Sequence, residues 1–451
     1  MQRILIDNAR LLNEGQQLEA AVLIGPSGRI ERVAPAGAIS AGPADSVVDA
    51  GGDYLMPGAI DTHVHFRDPG LTRKADMASE SAAAVSGGVT SFLDMPNTQP
   101  LTTSNRALRE KYTLAQGRCH ANYGFYLGAT QRNTDEIKAL DPAITPAVKL
   151  FMGSSTGDMA VERLEALHGV FGQTPILLAT HCETDGLIRA NTQHARKAYP
   201  DGDIPFRLHP QIRSAQCCAQ SVALAIDLAR QHGTRLHILH LSCAEELDLV
   251  ARAKAQRPGM LTAETCPHYL YLNGQHYDTM EWRMKCNPAI KGRMDQLHLQ
   301  EAIGSGLIDT IGSDHAPHLI SEKTKPYTAC PSGMPSVEYA LQLMLDLADG
   351  LGLPPHRVAQ LMAHGPADIY GVCERGYARE GYHADLVRVR HLAEPRLLTQ
   401  QGIRSRCGWT PYAEHITRYS VVATWVNGRL AYCPDRPMPG PGGQALRFNH
   451  A

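Results

Sequence analysis

Residues 58–67 read GAIDTHVHFR, an apolar run of strand length that ends in alternating imidazole and guanidinium side chains. Successive side chains of a strand point to opposite faces, so His63, His65 and Arg67 share one side while Val64 and Phe66 share the other. Two imidazoles two residues apart can chelate one ion, and neutral imidazole suits zinc. A single histidine in such a run is more often a satisfied core residue, so the decision rests on what recurs further along the chain.

Seven more apolar runs follow: 88–95 (GVTSFLDM), 121–129 (ANYGFYLGA), 147–153 (AVKLFMG), 176–182 (ILLATHC), 235–242 (RLHILHLS), 261–270 (LTAETCPHYL) and 307–317 (LIDTIGSDHAP). Helix-like stretches lie among them at 74–88, 217–233 and 336–350, the last two closing on glycine as helices often do. Strands alternating with helices predict parallel βαβ units, and eight of them predict an α/β fold of the closed TIM (β/α)8 type. Chemical groups recur at the ends of these runs. Lys149 lies in the fourth, His181 and His240 end the fifth and sixth, and Asp314 ends the eighth. In a TIM barrel these ends converge on one face, where active sites lie. Chance is a poor account of that many ligand-type side chains aimed at one point, and a metal centre is expected.

Lys149 sits inside an apolar run. A buried ammonium is costly, so the lysine is paired, neutral, modified, or reaches for the surface. A neutral amine can add carbon dioxide to become a carbamate, an anion with two oxygens able to bridge two cations.

The ends of the chain read differently. Residues 4–12, 20–34 and 46–52 at the front, and 384–390 and 419–432 at the back, mix short apolar runs with Gly, Pro and Asn; the last contains an Asn427-Gly428 turn signal. They are expected to form two halves of one small β-sandwich domain, from 1–55 and 366–451, flanking a barrel over 56–365. The 451 residues suffice for a barrel plus such a domain. Charged residues make up 20% and the formal charge is −2, which provides no field favouring nucleic acid or an anionic membrane. The apolar runs fall short of a membrane span, and the front of the chain lacks an uninterrupted signal-peptide core. Eleven cysteines without a C-x-x-C pair read as free thiols, and a cytoplasmic enzyme is expected.

The string DTHVHFRDPGLTRKADMASESAAAVSGGVTSFLDMPNTQPLTT at 61–103 closely resembles the opening of dihydroorotases, a branch of the amidohydrolase superfamily. KLFMGSSTG, ATHCE, LHLS, CNPAIK and SDHAPH follow in that family's order. The resemblance spans roughly 50–340, and the DTHVHFR and SDHAPH pair carries most of its specificity. It implies two zinc ions: His63, His65 and Asp314 would bind the more buried one, His181 and His240 the other, and carboxylated Lys149 would bridge both. Arg67, Asn97 and His318 fall where the family binds a substrate carboxylate, with His65 beside them. Asn287 falls where it contacts the dihydropyrimidine ring, and Ser332 and Gly333 in a loop that approaches the substrate.

The activity so implied is the reversible closure of N-carbamoyl-L-aspartate to L-dihydroorotate in pyrimidine synthesis. Asp314 would act as the proton-transferring base, and a homodimer is the family expectation. Other roles remain open for some of these residues: a salt bridge from Arg67 to Asp68 or Asp76, a turn role for Asn97, an exposed loop position for His318. The polar stretch 318–333 is expected to act as a lid. Hydantoinases carry a tyrosine five residues after the bridging lysine, where this chain has Ser154. Allantoinases share the phrase ETCPHYL, found here at 264–270. These two cyclic-amide hydrolases are the rival readings, with an inactive scaffold behind them.

Overall fold

The structure, a computed structural model, describes residues 2–153, 159–200 and 203–450, so Ser154 lies outside the described residues. The eight apolar runs form parallel strands in chain order: Ala59–Val64, Val89–Asp94, Asn122–Phe125, Val148–Met152, Leu178–Cys182, Leu236–Ile238, Leu261–Thr265 and Thr310–Ile311. Each pairs with its neighbour, for example Phe92 with Tyr123, Phe151 with His181, and Glu264 with Thr310. The third strand is split: Asn122–Phe125 pairs with the second, while Leu127–Gly128 pairs with the fourth. The ring closes where the His65 N–H donates to the His315 carbonyl at 2.8 Å and Val64 bridges His315. The fold is the expected (β/α)8 barrel.

Boundaries differ from the sequence reading: the first strand ends at Val64, the sixth at Ile238 and the eighth at Ile311, so His65, Arg67, His240 and Asp314 stand just beyond their strands, and the helix expected over 74–88 spans Met77–Ser86. The seventh strand stops at Thr265, and the rest of that run becomes a short helix, Pro267–Tyr271. Proline at the first helical position supplies a preset φ and loses no needed N–H, so the chain turns there although its residues remain apolar. The helix expected over 336–350 starts only at Ala340 and is capped by Leu351, not by the glycine. The run 217–233 does end as expected, on Gly233 at φ 72°.

The chain ends meet in one eight-stranded sheet, joined where Tyr54–Pro57 runs antiparallel to Leu386–Val389. Side-chain alternation divides its two faces. Leu11, Leu55, Leu386 and Trp425 pack in the sheet's own apolar cluster, whereas Leu12, Tyr54, Val387 and Val389 belong to the barrel core. Asn427 and Gly428 make the final hairpin turn with φ of 51° and 73°, the backbone this dipeptide favours. Beyond the sheet the tail returns to the barrel, with Leu446 N–H donating to the Tyr123 carbonyl at 2.9 Å. Among the described residues no helix is long and apolar enough to cross a membrane.

Candidate active site

At the C-terminal ends of the strands lies a solvent-open cleft of about 540 Å³, and every site residue named from the sequence lines it. His63, His65 and Asp314 form a compact group whose ligand atoms all lie within 4.8 Å of one another. Asp314 Oδ1 is 3.3 Å from His63 Nε2 and 3.2 Å from His65 Nε2. The opposite ring nitrogens are held: His63 Nδ1 lies 2.8 Å from Glu264 Oε1, and His65 Nδ1 lies 2.8 Å from Asn97 Oδ1. A carboxylate and an amide oxygen only accept, so each Nδ1 carries a proton and each Nε2 is turned toward Asp314. Burial opposes ionisation of Asp314, but His63, His65 and His240 hold its carboxyl far below the usual range.

Glu264 was not singled out in the sequence. It sits in the seventh strand, fully buried, and also accepts from Thr62 Oγ1 at 2.7 Å. Burial alone would raise its pKa; His63 and His237 beside it hold it at about 2. Its signal was an acid at the end of a barrel strand, hidden inside a phrase read only as a family marker. If His63 holds a divalent metal, Glu264→Gln is expected to weaken metal binding about 10–100-fold, the usual cost of losing the partner that orients a ligand imidazole. Titration of the metal-stripped protein against a chelator checks this, and unchanged affinity would contradict it.

A second group stands beside the first. His181 Nδ1 is 2.9 Å from His240 Nε2, and His181 Nε2 is 3.1 Å from Glu183 Oε2, itself paired with Arg213. Lys149 is completely buried, its Nζ has no hydrogen-bond partner among the described residues, and it lies 4.4 Å from the centroid of the Phe151 ring. Burial holds its pKa down at about 7, although Asp314 and Glu264 pull the other way. Among the described residues this lysine neither reaches the surface nor meets a salt-bridge partner. An orphaned buried amine between two sets of imidazole nitrogens and a carboxylate fits a centre for divalent cations. Arg67, His240 and Asp314 all have left-handed backbone, at φ 66°, 41° and 45°. Such conformations are rare outside glycine and cluster where the surroundings over-determine a functional geometry.

Another side of the cleft is built around Arg67. Its Nε donates to the Pro317 carbonyl at 3.1 Å, and its Nη2 lies 3.1 Å from His318 Nε2. Lys74 Nζ approaches His318 Nδ1 at 3.0 Å, and an ammonium can only donate. The His318 proton is then on Nε2, which donates to the Ser332 carbonyl at 3.0 Å. It follows that His318 offers Arg67 Nη2 no lone pair, so this edge of the guanidinium awaits an acceptor. The alternative partners are taken, since Arg118 pairs with Asp68 at 2.8 Å and Arg406 with Asp76 at 2.5 Å. Asn287 Oδ1 is buried at the cleft wall without a partner among the described residues. Gly333, at φ 139°, lets the loop pass where a Cβ would come within 2.6 Å of the Ala316 carbonyl.

The expected lid is tied down. Lys323 is fully buried and its Nζ donates to the carbonyls of Lys285, Pro331 and Gly333, each at 3.0 Å. This stretch is a braced wall of the cleft. The brace extends to the C-terminal part of the chain, which the sequence reading had not linked to the site. Trp409 Nε1 donates to the His318 carbonyl at 2.8 Å, and Ser405 Oγ to Glu80 Oε2 at 2.6 Å. Glu80 in turn holds His315 Nε2 at 2.7 Å, one residue past Asp314.

The amidohydrolase family profile matches residues 54–431. A dihydroorotase from Methanosarcina acetivorans is 32% identical over 427 residues, covering 91% of this chain and 88% of that protein. An allantoinase from Bacillus velezensis is 29% identical over 437 residues, covering 95% and 94%. Among solved structures, the L-hydantoinase (dihydropyrimidinase) from Arthrobacter aurescens superposes with a TM-score of 0.90 at 25% identity, covering 99% of this chain and 100% of that one.

Proposed function

The chain belongs to the amidohydrolase family, and on that premise we propose that it is a dihydroorotase, interconverting N-carbamoyl-L-aspartate and L-dihydroorotate in pyrimidine synthesis. The observation that carries this reading is Arg67 at the cleft, its Nε anchored on the Pro317 carbonyl and its Nη2 edge, beside the proton-bearing Nε2 of His318, left for a substrate acceptor. A planar fork is suited to a carboxylate, which dihydroorotate bears and allantoin and dihydrouracil lack.

His63, His65 and Asp314 would hold one zinc ion, His181 and His240 a second, with carboxylated Lys149 between them. When bound, these ions supply Lewis acidity toward a water nucleophile and a carbonyl oxygen. The side chains do the rest. Arg67 and His318 seat the substrate acid, Asn97 orients His65 as it lines the acid pocket, and Asn287, Ser332 and Gly333 border the ring. Asp314, ionised at neutral pH, takes the proton of the attacking water and returns it to the ring nitrogen as the amide bond breaks. Ring closure runs the same transfers backwards.

Carboxylation joins the neutral Lys149 amine to carbon dioxide, forming an N–C bond and releasing one proton. Only the free amine adds, so in metal-stripped protein the carbamate should grow as pH rises through about 7, where Lys149 titrates, and fade below it. Carbon-13 NMR in labelled bicarbonate checks this against Lys149→Gln; identical spectra at every pH would overturn the assignment.

The substrate reading is tested by assaying purified protein against dihydroorotate, allantoin and dihydrouracil, with the metal content measured alongside. Preferred turnover of either neutral amide overturns it, and no turnover with no bound metal would point to an inactive scaffold.

A further inference from the structure

Away from the cleft, a polar cavity of about 770 Å³ opens between the barrel and the C-terminal strands. On one side it is walled by Glu338, Tyr339 and Gln342, at and just before the start of helix Ala340–Gly350. Arg396 and Arg404 flank it on the other, together with Tyr432. The polarity is ordered by depth. Gln342 is 4% exposed, yet its Oε1 has no hydrogen-bond donor among the described residues. Buried amide oxygens are normally satisfied, so an orphan facing a cavity marks a place for a donor. Glu338 anchors the facing segment, accepting the Arg404 N–H at 3.0 and 3.3 Å on its two oxygens.

At the mouth the side chains of Arg396 and Arg404 are exposed. Neither guanidinium is engaged by a carboxylate among the described residues; Arg404 instead lies over the Tyr432 ring, 5.2 Å from its centroid. Tyr339 lines the same cavity. None of these residues contributes to the barrel cleft.

Deep acceptors call for N–H donors, rim cations for an anion, and tyrosine walls for a flat ring. We propose that this cavity binds a planar nitrogen heterocycle bearing an anionic group, of the nucleoside 5′-monophosphate kind. The ring N–H edge would face Gln342, the ring would lie along Tyr339 and Tyr432, and the phosphate would sit at Arg396 and Arg404.

Calorimetry on the full chain tests this, with UMP and AMP as probes and uridine, adenosine and inorganic phosphate as their separate halves. One nucleotide is expected to bind one site per chain, at least tenfold more tightly than its nucleoside or phosphate. Arg404→Glu, at an exposed position, should weaken it by tenfold or more. Gln342→Leu, which removes the orphan acceptor with little change in volume, should weaken it at least fivefold without lowering the thermal midpoint. No saturable binding of either nucleotide up to 5 mM would overturn the proposal. So would binding that both variants leave unchanged, since the nucleotide would then sit elsewhere. The readout is binding at residues outside the cleft, so either failure leaves the hydrolase reading untouched.

Discussion

Asp314→Asn is expected to lower kcat by about 10³–10⁴-fold while the barrel stays folded, near the upper end of what a positioned base contributes. The substitution keeps size and shape but removes the charge, and with it, on the proposed reading, the proton acceptor and a metal-ligand oxygen. The loss is not a matter of folding. Asp314 is held by side chains at the cleft, and its backbone neighbours are pinned separately, His315 by Glu80 at 2.7 Å and Ser313 N–H by Asp61 at 3.0 Å. Circular dichroism and the thermal midpoint should therefore change little while turnover collapses. The measurement is kcat at saturating substrate with zinc quantified in the same sample, which separates a lost base from lost metal. A kcat within tenfold of the parent would remove Asp314 from the chemistry.

Arg67→Met is expected to cut kcat/KM for dihydroorotate by about 10²–10³-fold. Each hydrogen bond to a charged group is worth about 1.5–3 kcal/mol, and a guanidinium fork makes two in parallel. The same change should leave any slow turnover of neutral cyclic amides within a fewfold, because these have no acid for the fork to hold. Burial lowers the Arg67 pKa to about 10, against the pull of Asp314 and Asp94, so the fork remains charged throughout the working pH range. The ratio of the two kcat/KM values is the measurement. Equal losses on acidic and neutral substrates would show that Arg67 braces the cleft through Pro317 and His318 instead of reading the substrate.

The barrel was legible because its signal is local and repeated. Apolar runs of strand length recur at intervals that leave room for a helix, and the strand-end residues His63, His65, His181, His240 and Asp314 announce the catalytic face without any tertiary information. Period-two alternation predicted His63, His65 and Arg67 on one side; the strand ends at Val64 and Arg67 turns through left-handed backbone, yet all three line the cleft. Element ends were less legible. Whether apolar residues 261–270 continue as strand or turn into helix is decided by Pro267 and by what packs there, not by hydrophobicity.

What the residue order could establish on its own was the βαβ rhythm, the convergence of ligand-type side chains, and the oddity of an amine inside an apolar strand. Only the folded chain decides which proton each histidine carries, because a tautomer depends on the partner of the other ring nitrogen. Glu264, Asn97 and Lys74 come from separate parts of the chain to settle it for His63, His65 and His318. The same holds for Ser405 and Trp409, whose bonds to Glu80 and the His318 carbonyl span 325 and 91 residues of sequence. Periodicity reports which face a side chain takes along its own strand; contacts across such separations exist only once the barrel has closed.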